Sequence, residues 1–383
     1  RKYTTNPTDP LEGQMWYNNT TGTLKGNIVT EAWSSGTLLG TARYGMGSAG
    51  TQDAALGFGG ATTPPFATQT LTEEYNGSGW AAGGVLGTAR YVLGGCGTQA
   101  AALAFGGNYP DRKNETEEYD GASWTAGGAL TTARRGLGSA GTQTAAAAFG
   151  GDVPPGTTAS NATEEYNGAS WTAGGALGTA RGLGSMGGYV GTQSATFIAG
   201  GLRPDITEKV EEYDGTSWTN VTGLPADRSR SGVAGTQTDA IVFGGALPTI
   251  TNTTFKYDGT SWTAAPNLGT AVRFMGGAGT ATAGLSFGGD VPGTTAATEE
   301  FNRSSSVITA GAWAAGGALL NARYQMAGCG TLTAGLAFGG YTTTSVALTE
   351  EYDGTSWTAE TAMGTARYEQ GNGSGTQTAG LCV

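Results

Sequence analysis

Apolar residues along this chain gather in short runs bounded by glycines and turn residues, and they do so in the same order again and again. One unit shows the pattern. A Gly-rich stretch, Tyr91-Val92-Leu93-Gly94-Gly95-Cys96, opens after a Thr-Ala-Arg corner. The apolar run Ala101-Ala102-Leu103-Ala104-Phe105 follows Gly-Thr-Gln and closes on Gly106-Gly107. A third segment carries Glu117-Glu118-Tyr119, and a fourth carries Ser123-Trp124-Thr125. Each segment has the length and bounding residues of a strand. Asp120-Gly121 between the last two supplies the positive φ that a tight hairpin turn requires. The pattern therefore predicts four antiparallel strands per unit.

The unit repeats through the chain. Its tryptophan returns at Trp33, Trp80, Trp124, Trp171, Trp218, Trp262, Trp313 and Trp357, at intervals of 47, 44, 47, 47, 44, 51 and 44 residues. A four-stranded propeller blade takes about 40–50 residues. Innermost strands of such a ring converge, which explains the glycines of the first segment, while Tyr and Trp on outer strands cover the faces between blades. The diglycine after an apolar strand, then a tyrosine, a tryptophan and an arginine opening the next unit, resembles the kelch repeat. That resemblance runs from about Trp33 to the C-terminus and implies an all-β, β-propeller fold. Ile198-Ala199-Gly200-Gly201, Val272 in the place of an arginine with Arg273 shifted by one, and a longer hairpin from Phe301 to Trp313 depart from it, and read as tolerated local variants.

Seven complete units leave two fragments. Residues 15–33 hold material for two outer strands, and residues 367–383 for two inner ones. Joined, they make an eighth blade shared between the chain ends, which would leave no open sheet edge. The expectation is thus an extended arm over residues 1–14 and one propeller over residues 15–383, with eight blades; seven with loose ends is the alternative.

Composition narrows the chemistry. Glycine supplies 70 of 383 residues, and only 13% are charged. The net charge of −11 speaks against nucleic acid, whose binding rests on clustered Lys and Arg. No apolar run is long enough for a membrane-spanning helix. There is no histidine, which removes Ser-His and Cys-His pairs, histidine bases and almost all zinc or copper sites. No enzyme activity and no cofactor is expected. Cys96, Cys329 and Cys382 are too few and too scattered for a disulfide framework, and the first two stand where other units carry Ala49 or Ala140.

The repeated charges read as scaffold. The pairs Glu73-Glu74, Glu117-Glu118, Glu164-Glu165, Glu211-Glu212, Glu299-Glu300 and Glu350-Glu351 lie next to each other on strands, so their side chains point to opposite faces. One is expected to face solvent and the other to meet a repeat arginine (Arg43, Arg90, Arg134, Arg181, Arg228, Arg323, Arg367). Asp-Gly-Thr-Ser-Trp has the wrong spacing for a sialidase Asp-box. Asp152 and Asp290, each in Gly-Gly-Asp-Val-Pro, are weak candidates for calcium, which needs six or more oxygens. What varies are the segments after each diglycine, and in a propeller these loops emerge on one face. A rigid ring with variable loops on one face is the layout of a binding surface. Its candidate ligand-binding residues are Phe66, Tyr109, Arg112, Arg203, Asp205 and Tyr341.

The arm carries a second resemblance. Asn6-Pro7-Thr8-Asp9-Pro10, then Gly13-Gln14-Met15-Trp16-Tyr17-Asn18 through Lys25, is similar to segments of structural and fibre proteins of tailed phages. It implies a virion appendage or decoration protein, outside the cell, whose propeller contacts a host-surface glycan or another virion protein. A secreted bacterial surface or matrix protein, assembling with copies of itself by stacking, is the alternative.

Overall fold

The computed structural model describes residues 2–3, 5–7, 14–21, 23–155, 158–182, 185–187, 190–202, 205–309, 316–368 and 374–381. All regular structure among them is β-strand, arranged as many small antiparallel sheets, most of four strands, as in a propeller-like fold. None of the described residues forms a helix long and apolar enough to cross a membrane. The chain divides into two compact units, one of residues 9–14 and 27–307, the other of residues 1–8, 15–26 and 308–383.

The larger unit repeats one sheet design. Its first sheet orders Gly47–Gly50, Ala55–Phe58, Thr72–Tyr75 and Trp80–Ala82; its second orders Gly94–Thr98, Ala101–Phe105, Thr116–Tyr119 and Trp124–Gly127. The third and fifth follow suit, ending at Trp171–Ala173 and Trp262–Ala265. In the fourth, Thr196–Ala199, Val210–Tyr213 and Trp218–Val221 form a three-stranded sheet, while Ser185–Gly187 pairs in parallel with Ser231–Thr236 of the fifth. Inner strands are glycine-rich because each lies against the phenylalanine of its own second strand. A Cβ on Gly94 would come within 2.5 Å of the Phe105 ring.

From the second sheet to the fourth, three side chains tie each sheet to the one before it. Gln99 Nε2 donates to the carbonyls of Ala55 (2.9 Å) and Tyr75 (2.7 Å), and Gln143 and Gln237 repeat this one and three sheets later. Trp124 Nε1 donates to Thr72 Oγ1, Trp171 to Thr116 and Trp218 to Thr163, each at 2.9 Å. The hydroxyls of Tyr119, Tyr166 and Tyr213 donate to Glu74, Glu118 and Glu165 of the preceding sheet at 2.6 Å. One glutamate of each pair was expected in solvent; Glu74, Glu118, Glu165, Glu212 and Glu300 are instead acceptors between sheets. The sixth sheet confirms the logic by its exception: where the fifth carries Lys256 instead of that glutamate, the sixth carries Phe301 instead of the tyrosine.

The first sheet makes the same bonds to the sixth, which holds Gly276–Gly279, Ala283–Phe287, Thr298–Thr309 and Thr23–Ser35. Gln52 Nε2 reaches the carbonyls of Gly284 (3.0 Å) and Phe301 (2.9 Å), and Trp80 Nε1 reaches Thr298 Oγ1 (3.0 Å). Trp33 packs on Phe243 and Phe301 at 5.0 and 5.3 Å and donates to Thr254. Residues 367–383 were the expected partner of residues 15–33. The strand bearing Trp33 runs beside Thr298–Thr309, and the two long strands match in length. Ser374–Thr376 and Ala379–Leu381 form a hairpin of their own.

Among its described residues the smaller unit has a four-stranded sheet, Ala327–Thr331, Ala334–Phe338, Thr349–Tyr352 and Trp357–Glu360. Gln377 of the hairpin bonds the Tyr352 carbonyl in the usual way. In this unit Leu319 is half-buried, whereas its counterparts Leu86, Leu130 and Leu177 in the larger unit are 1–2% exposed. At the N-terminus, Asn6 Oδ1 accepts from Asn18 Nδ2 (3.0 Å) beside the fully buried Trp16.

The tyrosine ladder sets a pH limit. Burial, then the glutamate each hydroxyl faces, pushes Tyr119, Tyr166 and Tyr213 up to about 12. Unfolded tyrosine titrates near 10. The folded state therefore holds these protons after the unfolded state has begun to lose them, so the stabilisation is complete below pH ~10 and is lost as pH rises toward ~12. Urea midpoints followed by tryptophan fluorescence should stay level from pH 7 to ~9.5 and fall steeply above. A flat profile to pH ~11.5 would contradict the ladder.

Candidate functional site

The repeat arginine sits at the base of the site and is itself structural. Arg43, fully buried, donates through Nη1 to the carbonyls of Gly59 (2.6 Å) and Leu71 (2.9 Å) and through Nη2 to Glu73 (2.8 Å). Arg90, Arg134, Arg181 and Arg323 repeat the ion pair with Glu117, Glu164, Glu211 and Glu350. Burial lowers the guanidinium pKa values of Arg43, Arg90, Arg134 and Arg181, and the paired carboxylate opposes the shift. Two sheets have lost half of the pair. Arg228 lies 4.8 Å from the Phe255 ring, which occupies the glutamate position, and Val272 stands where Glu299 would meet an arginine.

Immediately after that fixed residue the chain varies, and this is where a site forms. The following residue bridges to the first residue of the loop after the diglycine: Tyr44 to Ala61, Tyr91 to Asn108, Arg135 to Asp152 and Arg273 to Asp290. The residue after it turns left-handed. Gly45 and Gly136 meet this demand easily, but Val92 (φ 57°), Arg230 (φ 59°) and Phe274 (φ 56°) also adopt it. Non-glycine residues pay about 1–2 kcal/mol for that conformation, and such strain clusters at functional positions. Backbone bonds link these turns in series: Gly136 N to Val92 O (2.9 Å), Val92 N to Gly45 O (2.6 Å), Gly45 N to Phe274 O (2.8 Å) and Phe274 N to Arg230 O (3.0 Å).

A cavity of about 420 Å³ opens at these turns, a size suited to a small ligand. Its walls include Tyr44, Tyr91, Phe274, Arg135, Arg230 and Arg273. Arg273 is held by Asp290 Oδ2 through Nε (2.8 Å) and Nη2 (2.7 Å), and Asp290 Oδ1 also accepts from Gly293 N (2.8 Å). Arg135 Nε lies 3.7 Å from Asp152, which is fully buried. Both aspartates thus face arginines, and among the described residues no group of three or more His, Cys, Asp or Glu is placed to hold a metal. Burial, with the neighbouring Tyr91 and Asp290, raises the Tyr44 pKa against the opposing Arg273, which keeps its hydroxyl a neutral donor.

Aromatic rings continue from the cavity out to the loops. Phe274 meets Tyr44 at 5.9 Å, Tyr44 meets Tyr91 at 6.0 Å, Tyr91 meets Phe66 at 5.4 Å, and Phe66 meets Tyr109 at 6.1 Å. Phe66 and Tyr109, two of the loop residues expected to bind ligand, therefore come together and remain 47% and 45% exposed. The others do not join them. Arg112 is half-buried and bridges to Asn108 within its own loop, and Asp205 is exposed at a bend. Tyr341 belongs to the smaller unit, against Tyr324 and Tyr368 at 5.5 and 5.1 Å. Arg203, Trp313 and Cys382 lie outside the described residues.

The cavity arginines and tyrosines were missed in the sequence. Their signal was present: beside an arginine fixed in almost every unit, the next residue reads Tyr44, Tyr91, Arg135, Gly182, Ser229 and Arg273. The shift of Arg273 by one position, read as a tolerated variant, delivers a charge into the cavity. No protein-family model matches the chain, and no curated protein matches it in sequence.

Proposed function

We propose that the protein is a non-enzymatic attachment protein, a virion appendage or decoration protein, built on a kelch-like propeller and binding host-surface glycan through its mouth. In this reading residues 27–307 make a ring of six blades, with fewer blades than the spacing of the whole chain suggests. The bonds of Gln52 and Trp80 to the sixth sheet support that count. The observation that carries the binding role is the aromatic path from Phe274 to Tyr109. Its rings break the repeat, stand on strained or variable positions, and end in exposed Phe66 and Tyr109. Aromatic faces with polar tips at a rim are the usual means of holding a sugar from a rigid support. The assignment to a virion rests on the resemblance of the arm at residues 6–25.

A glycan array probed with the whole chain tests the role. The wild-type chain should bind a restricted set of glycans, and the Phe66→Ala/Tyr109→Ala variant, which alters only exposed loop positions, should lose at least ~10-fold in affinity, about 1.4 kcal/mol. Silence across the array, with capture by purified virion or surface proteins, would replace the glycan by a protein partner.

A further inference from the structure

Three guanidinium groups converge on the cavity of a chain whose net charge is −11 and which has only 19 Lys and Arg in all. They come from different sheets: Arg135 precedes the third, Arg230 the fifth and Arg273 the sixth. None belongs to the repeated scaffold pair, so the fold does not require them there. Asp290, itself in the cavity wall, holds Arg273, and Asp152 lies 3.7 Å from Arg135, which leaves the group of five with an excess of one positive charge. Arg230 lies 5.1 Å from the Phe274 ring and Arg273 6.0 Å from it, so an aromatic face and two cations bound one space. Tyr44 adds a neutral hydroxyl at the wall.

We infer that this cavity binds the carboxylate-bearing end of an acidic glycan, such as a sialic-acid-type or uronic-acid sugar. The inference rests on the glycan reading above and names the substrate class for the same site. Guanidinium groups pair with a carboxylate in a planar, two-pronged geometry, and a half-buried cavity strengthens such bonds relative to bulk water. The remaining sugar units then run outward over Tyr91, Phe66 and Tyr109, whose exposed faces take the apolar sides of sugar rings. The acidic exterior repels anions in general, so an acid is retained only where the local charge is reversed. A neutral sugar brings no charge to match the net positive charge of these groups, which sets the selectivity.

The strained turn gives a variant that separates folding from binding. Arg230 occupies a left-handed position that Gly45 and Gly136 fill in other sheets, so Arg230→Gly should fold with an unchanged or higher melting temperature. The experiment uses the whole chain and calorimetry or saturation-transfer NMR. The probes are N-acetylneuraminic acid, oligogalacturonate, its methyl ester, a chitin oligomer and poly-glutamate. An acidic sugar should bind, its methyl ester or Arg230→Gly should lose about tenfold or more, and 0.5 M salt should weaken binding several-fold. Equal binding of neutral and acidic sugars, unaffected by Arg230→Gly, would overturn the inference and leave the glycan reading standing. Poly-glutamate binding as tightly as the sugars would overturn it in favour of an acidic peptide. No binding of any sugar here or on the array would overturn both.

Discussion

Arg181→Ala is expected to lower the unfolding free energy by about 3–5 kcal/mol, the cost of leaving one member of a buried ion pair alone. Arg181 and Glu211 are both fully buried. Arg181 Nη1 donates to the carbonyls of Gly200 (3.2 Å) and Lys209 (2.8 Å), and its Nη2 donates to Glu211. Truncation strands two carbonyls and leaves the Glu211 carboxylate with the amide of Gly178 as its remaining bond from the corner. Domains of this kind hold about 5–15 kcal/mol in total, so the loss is a large fraction of the whole. Glu211→Phe should cost less than Arg181→Ala. The fifth sheet already places Phe255 under Arg228 and satisfies that guanidinium with carbonyls of Gly244 and Thr253. Urea unfolding of both variants measures the difference; equal losses would mean that the carboxylate is not the group being protected.

The sheet design was legible in the sequence, and the reason is local. Asp-Gly turns, the Phe-Gly-Gly corner and the Thr-Ala-Arg corner each demand one backbone geometry, and their repetition fixes four strands per unit. The pairing of Arg43 with Glu73 was legible for the same reason, since both recur in the same order in almost every unit. The partner of Trp33 was not. Either a strand from residues 367–383 or the long strand after Phe301 satisfies its local pattern, and only tertiary pairing decides between them. The role of Glu74 was hidden likewise: it faces away from its own arginine and meets Tyr119 of a different sheet. At the site, attention to long loops found Phe66 and Tyr109 but passed over Tyr44, Tyr91, Arg135, Arg230 and Arg273. Those side chains adjoin repeated residues, and their convergence depends on the way successive sheets are arranged.

The second large effect concerns the seam at Trp33. In the larger unit the strand from residue 27 to Ser35 covers the edge of Thr298–Thr309, with Thr30 Oγ1 bonded to Ser304 Oγ at 2.8 Å and Gly36 N to Thr298 O at 2.8 Å. Its Trp33 ring closes the apolar cluster of Phe243, Leu268 and Phe301. A chain lacking residues 27–35 loses that ring and exposes a long strand edge. Trp33 is half-buried, and losing a tryptophan from a packed cluster costs up to about 3–5 kcal/mol, so with the strand edge also opened the shortened segment should not fold. Among the described residues, Gln52, Tyr75 and Trp80 supply the side-chain bonds from the first sheet to the sixth.

The most direct measurement is therefore the unfolding of the segment 27–307 beside the segment 36–307, by calorimetry and tryptophan fluorescence with mass measured in solution. The six-blade account predicts that 27–307 is a monomer with one cooperative transition, and that 36–307 has none. If 27–307 fails to fold while the full chain does, the ring needs residues 308–383, and closure by a blade shared between the chain ends takes its place.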